Sequence, residues 1–143
     1  MEQSAIVRHI RDCFEDVQTV EKDGVTFFFF GPEHLFPFAT IVTRDNEHDS
    51  QSRLDRPEVY RLNLGITRET FARVIGDGDQ APDNSAMDTL FPHPLYGKAF
   101  WISIINPSPG TFAETISPLI AEAYQNDVRK KQRKAAGEKS EDW

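Results

Sequence analysis

Four consecutive phenylalanines, Phe27 to Phe30, limit what this chain can fold into more than any other feature. They lie in residues 25–42, a stretch that holds six of the chain's 11 Phe. Successive side chains of a strand point to opposite faces. Phe27 and Phe29 therefore face one way, and Phe28 and Phe30 the other. A sheet with a single buried face would leave one of these pairs in water. Either both faces are covered, or the second face is an aromatic surface that something else covers.

The remaining pattern supplies the other elements. Ser4 is placed to cap a helix over residues 5–16, with Ile6, Ile10, Cys13, Phe14 and Val17 on one stripe. Cys13 reads there as a small core residue. Asp23-Gly24 between two strand-like runs signals a hairpin. Phe36 to Thr43 reads as a third strand, irregular at Pro37. Residues 44–57 are a polar loop. Val59 to Ile66 is a fourth strand, with Tyr60, Leu62 and Leu64 on one face and Arg61, Asn63 and Gly65 on the other. Thr67 caps a second helix that Gly76 stops. After a Gly-, Asp- and Pro-rich loop over 77–89, residues 91–97 form a proline-pinned approach to a fifth strand, Phe100 to Asn106. Thr111 with Glu114 forms a capping box for the last helix, which Pro118 is expected to kink or delay. The order predicts a two-layer α+β domain: a mainly antiparallel five-stranded sheet with helices mostly on one face. The 143 residues divide into one domain, 1–124, and a charged helical extension with a frayed tail, 125–143.

The helix-free face then carries Arg61 and Asn63 beside Trp101, Ser103 and Ile105. One pair of the Phe tetrad joins them, taken as Phe28 and Phe30. With His93 and Tyr96 of the approach segment, these are the candidate ligand-binding residues. Aromatic planes beside a guanidinium and an amide suit a flat ligand, a single-stranded base or a partner chain. In the competing reading, residues 44–57 and 77–98 fold over that face and one of their carboxylates pairs with Arg61. Asp55 and Asp88 are the candidate partners for Arg56 or Arg61.

Catalytic signals are sparse. His93, held between two prolines, is a possible general base with Asp88 or Asp55, or else a satisfied histidine. His9 and His34 lack an evident partner. Asp45, Glu47, His48 and Asp49 loosely resemble a calcium loop but have no Gly or closing Glu at the required offsets, so a solvated loop is expected. Gly76 to Asp79 reads as a turn. There is no nucleophile elbow, phosphate-binding glycine loop or zinc-binding histidine pair. No cofactor and no metal is expected. The pattern favours a non-catalytic module, with a small molecule or a protein as partner, over an enzyme.

Charge separates the two parts of the chain. Residues 1–124 hold 10 Lys and Arg against 19 Asp and Glu, a net charge of −9. Residues 125–143 hold 6 against 4, a net charge of +2, concentrated in Arg129 to Lys134. The acidic body disfavours sequence-independent nucleic-acid binding, and the basic run is the one feature that favours it. With no leader-like segment and no apolar run near the ~20 residues that span a bilayer, a cytoplasmic location without a membrane partner is expected, as monomer or homodimer.

Leu54-Asp-Arg-Pro57, Arg61-Leu-Asn-Leu-Gly65 and Pro92-His-Pro-Leu-Tyr96 followed by Trp101, taken with Phe28 to Pro32 and Phe36 to Thr40, resemble a family of small bacterial proteins of unknown function common in actinobacteria. The likeness covers most of residues 4–124. The element order is also similar to the MmcQ/YjbR group, in which a tryptophan strand precedes a final helix ending near a tyrosine, as Trp101 and Tyr124 do here. That resemblance implies a frataxin-like fold and a suggested DNA-binding role without established catalysis. The acidic body departs from what DNA binding would require.

Overall fold

The first hairpin is set by two residues. Asp23 and Gly24 both adopt positive φ, 53° and 80°. That geometry matches the twist of the flanking strands. It joins β1 (Val17–Lys22) to β2 (Val25–Phe30) with Val20 opposite Phe27. The computed structural model describes residues 1–76, 83–135 and 137. Around this hairpin lie α1 (Gln3–Cys13), β3 (Ala39–Val42), β4 (Arg61–Gly65), α2 (Arg68–Ile75), β5 (Phe91–Pro92), a 3-10 turn (Gly97–Ala99) and β6 (Trp101–Ile105). The chain closes with α3 (Pro109–Thr111), a π-helical turn (Phe112–Ile116) and α4 (Ser117–Ala135). The fold is α+β, and the six strands among the described residues run antiparallel in the order β1-β2-β3-β4-β6-β5. The sixth strand is β5, two residues of the expected approach segment that pair with Ser103 and Ile102. No helix among the described residues is long and apolar enough to cross a membrane.

Register decides which phenylalanines share the Arg61 face. Asn63 lies opposite both Thr40 and Ser103, and Thr40 lies opposite Phe27. Phe27 and Phe29 are therefore on the Arg61 side. Phe28 is aligned through Ala39 with Leu64 and Ile102, and packs with Ile6, Ile10, Phe112, Ile116 and Ile120 in the main core under the helices. Phe30 packs against the same core and sits edge-on to Tyr124. Phe28 and Phe30 thus do not join the Arg61 face. Four identical residues carry no parity signal, and only the pairing with β3 fixes it.

The opposite face is covered in part. Leu54, Val59, Phe91, Ile105 and Val42 form a second, smaller core beneath the 44–60 loop. At the β1–β2 end the cover is smaller: Phe29 is buried under the His34 ring with the Lys131 ammonium over it, and Phe27 is half-buried.

Several boundaries differ from the expected ones. Helix α1 begins at Gln3 after Glu2, with no side-chain cap, so Ser4 lies inside it. It ends at Cys13. Asp16, at φ 57°, turns the chain straight into β1, which takes Val17 off the helical stripe. Cys13 is consequently exposed rather than core. The last helix starts earlier than Thr111. Ser108 caps it by accepting from the Thr111 N–H at 3.2 Å, and Pro109 takes a first-turn position where a missing N–H costs nothing. Pro118 is absorbed by the π-turn ahead of it, where the Ser117 N–H reaches the Phe112 carbonyl. The tail residues 138–143, and residues 77–82 of the loop that includes the Gly76 to Asp79 turn, lie outside the described residues.

Helix α4 continues past Tyr124 to Ala135 and is tied to the body. Asp127, nearly buried, accepts from the Phe30 N–H at 3.2 Å and pairs with Lys131 at 3.1 Å. The Lys131 ammonium also donates to the carbonyls of Phe30 (3.0 Å), Glu33 (3.3 Å) and Phe36 (3.4 Å).

Candidate functional site

Arg61 is the largest completely buried side chain among the described residues, at 0% exposure. The alternation of β4 points it away from the helices and under the 44–57 loop. Its charge is met there by Asp49, whose two oxygens accept from Nη1 at 2.9 Å and Nη2 at 2.5 Å, a bidentate pair. Ser52 Oγ accepts from Nη1 at 3.0 Å, and Asn63 Oδ1 accepts from Nε at 2.9 Å. Asn63 in turn donates to Thr40 Oγ1 at 3.0 Å and accepts from Ser103 Oγ at 2.6 Å. Arg61, Asn63 and Ser52 are all 0% exposed, so solvent reaches none of them. Burial raises the Asp49 carboxyl, the hydrogen bond and charge of Arg61 lower it, and the balance falls below the ordinary carboxylate value.

His93 borders this network without being chemically free. Its Nδ1 accepts from the backbone N–H groups of Leu95 (3.0 Å) and Tyr96 (3.1 Å). The proton of the neutral ring is therefore on Nε2, which faces Arg61 Nη2 at 3.5 Å. Two donors meet there, so the contact is packing and not a hydrogen bond. Burial, then the Arg61 charge, push His93 down to about 4 against the opposing pull of Asp49. A neutral imidazole with its one acceptor occupied has no basic nitrogen to offer a substrate.

The other expected partners lie elsewhere. Asp55 accepts from the Asp45 N–H at 3.0 Å, and Asp88 from the Ser108 N–H at 2.8 Å. Neither carboxylate is a hydrogen-bond partner of Arg61 or His93. His9 has neighbours after all: Cys13 Sγ at 3.7 Å and Ser117 Oγ at 3.4 Å, with Phe112 edge-on. His34 bonds Gln18 Oε1 at 2.6 Å and stacks on Phe29 at 4.8 Å. Among the described residues, no group of three or more His, Cys, Asp and Glu is placed to hold a metal ion.

Trp101 and Tyr96 form the rim of this region. The Trp101 indole lies flat over Gly65, where a Cβ would come within 3.0 Å of Cε2 and Cζ2. His93 stands edge-on to Trp101 at 6.5 Å and tilted against Tyr96 at 4.8 Å. Tyr96 itself is 56% exposed. Arg61, Asn63, Ser103 and His93 are thus brought together inside. Trp101 and Tyr96 stand at their edge, and Phe28 and Phe30 are across the sheet.

A carboxylate of the 44–57 loop does pair with Arg61, as the competing sequence reading expected, but it is Asp49 and not Asp55 or Asp88, and Ser52 and Thr40 were not anticipated. No local signal separates Asp49 from the other acids of its loop. Sequence reasoning also missed Leu35 and Phe36, two apolar residues in a turn bracketed by Pro32 and Pro37 and exposed at 62% and 65%.

No curated protein and no solved structure matches this chain. Residues 1–136 match a family of unknown function, DUF6194, and the chain belongs to that family.

Proposed function

We propose that this chain is a non-catalytic binding module. Its contact surface is a rim of two loops at one end of the sheet, and the Arg61 network is the scaffold beneath. One observation carries the reading: of the five large apolar residues exposed among the described residues, Leu35, Phe36, Leu95 and Tyr96, at 62%, 65%, 41% and 56%, lie on the β2–β3 and β5–β6 loops, and Met87 alone lies apart, beside Ile105. The alignment of Ala39, Leu64 and Ile102 puts both loops at the same end. At about 4.8 Å per strand they are on the order of 14 Å apart. Apolar side chains grouped at one edge mark an interaction surface, whereas scattered ones do not.

Both loops are pre-organised. His93 fixes the turn that presents Leu95 and Tyr96, and Lys131 holds the carbonyls of the turn that presents Leu35 and Phe36. A surface ordered before contact loses little entropy on binding. The polar groups that could perform chemistry satisfy one another. Nucleic-acid binding through residues 129–134 is the second reading, favoured by exposed Arg129 and Lys130. The engagement of Lys131 and Lys134 by the β2–β3 loop weighs against it. The MmcQ/YjbR likeness is one of element order and carries no binding claim.

Site-specific photo-crosslinking in cells tests the proposal. A photoreactive residue at position 36 or 96 forms discrete adducts, and one at position 47, in the exposed polar loop, does not. Absence of adducts at both rim positions, or equal labelling at 47, overturns it.

A further inference from the structure

The β2–β3 loop and the last turns of α4 form a single edge that combines apolar and cationic groups. Lys131 reaches the Phe36 carbonyl at 3.4 Å, and Lys134 pairs with Glu33 at 3.0 Å. Residues 129–134 hold five cations and no carboxylate, in a chain whose net charge is −7. Arg129 and Lys130 are exposed, and the Lys134 side chain is 62% exposed. Beside them Leu35 and Phe36 protrude from a turn that Lys131 and Asp127 clamp at both ends. Their exposure is therefore built into the fold.

We infer that this edge seats the protein on an anionic lipid surface, with Leu35 and Phe36 entering at headgroup depth and Arg129 and Lys130 meeting lipid phosphates. The inference rests on the binding-module reading and names its partner. A convex apolar tip flanked by cations matches a soft, flat, negatively charged interface. A peptide would need a groove, and this tip is a protrusion. A nucleic acid would use successive stacking platforms, and this tip has one aromatic ring, Phe36, beside the aliphatic Leu35. The charge is local, and the acidic remainder of the chain favours an orientation that turns it away from the lipid. The sequence-based expectation of no membrane partner rested on the lack of a spanning segment, which concerns crossing and not seating. One Phe and one Leu give weak, reversible attachment that depends on the charge contribution.

Vesicle flotation of the full chain tests this, using phosphatidylcholine vesicles with and without phosphatidylglycerol. The expected result is flotation only with the anionic lipid, lost at about 1 M salt, where the screening length is about 3 Å. Leu35→Ser/Phe36→Ser lowers the partition coefficient about tenfold or more. Arg129→Glu/Lys130→Glu lowers it comparably, and both variants keep the wild-type circular dichroism spectrum because all four side chains are exposed. No anion-dependent flotation, or flotation unchanged in both variants, overturns the inference. Protein-only adducts at position 36 without flotation would overturn the lipid inference and leave the binding module standing. No adducts at either rim position would remove both.

Discussion

Removing the Asp49 carboxylate should be among the most damaging single changes in this protein. Arg61 is 0% exposed on a central strand and cannot turn out to water. Asp49→Ala leaves Ser52 and Asn63 as partners but no counter-charge. Breaking one side of a buried pair typically costs about 3–5 kcal/mol, against about 5–15 kcal/mol for the stability of an ordinary domain. With a urea slope of about 2 kcal/mol per molar, the midpoint should fall by about 2 M. Arg61→Met should cost less. Its orphan, Asp49, sits on a loop and can reach solvent or take up a proton, whereas the orphaned guanidinium has neither exit. The double variant Arg61→Met/Asp49→Ala should be less destabilised than Asp49→Ala alone, since the unpaired charge is gone. The assay is urea unfolding followed by far-UV circular dichroism on the four proteins. A loss below about 1 kcal/mol for Asp49→Ala, or strict additivity in the double variant, would refute the reasoning, because either result means that Arg61 is solvated.

Two further changes probe neighbouring contacts. Histidine protonation should make the protein acid-sensitive: burial holds the His93 pKa at about 4 when folded, against an ordinary value of 6.5. The unfolded chain therefore binds the proton first as pH falls, and stability declines from pH 6.5 to 4 by up to about 3 kcal/mol. Asp49, whose pKa is lowered, adds a further loss as pH drops below its ordinary value of 3.8. His93→Asn, whose side-chain oxygen can still accept from the following N–H groups, should flatten the decline between pH 6.5 and 4 in denaturation midpoints measured across pH. An unchanged slope would contradict the assignment of a neutral His93. Gly65→Ala places a methyl 3.0 Å from the Trp101 ring and should cost about 1–3 kcal/mol, with a changed near-UV circular dichroism band. A silent substitution would mean that the indole does not lie on the strand.

What the sequence made legible was local or periodic. Asp23-Gly24 is visible because a tight hairpin needs positive φ at both positions and few residue pairs supply it. The two faces of β4 are visible because Leu62 and Leu64 alternate with Arg61 and Asn63, and the structure keeps that alternation. What stayed hidden depended on distant pairing. The parity of the Phe tetrad required the register of Phe27 with Thr40 and of Thr40 with Asn63. The partner of Arg61 depended on how a 14-residue polar loop, 44–57, folds back, and Asp45, Glu47, Asp49 and Asp55 are equivalent until it does. One miss was avoidable. Ser108-Pro109 is itself a helix-start signal, a cap followed by a first-turn proline, and it precedes the Thr111 and Glu114 pair.

The polar face at Arg61 is closed by the chain's own loop, and the proposed binding surface lies elsewhere for that reason. The Arg61 Nε–H, donated to Asn63 inside the network, reports on that claim through its proton–nitrogen NMR signal. At neutral pH the account predicts a resolved Arg61 Nε–H resonance, slow to exchange with solvent and unmoved by added inorganic phosphate. Rapid exchange, or a phosphate-dependent shift of that resonance, would show that the guanidinium is accessible and contradict the account.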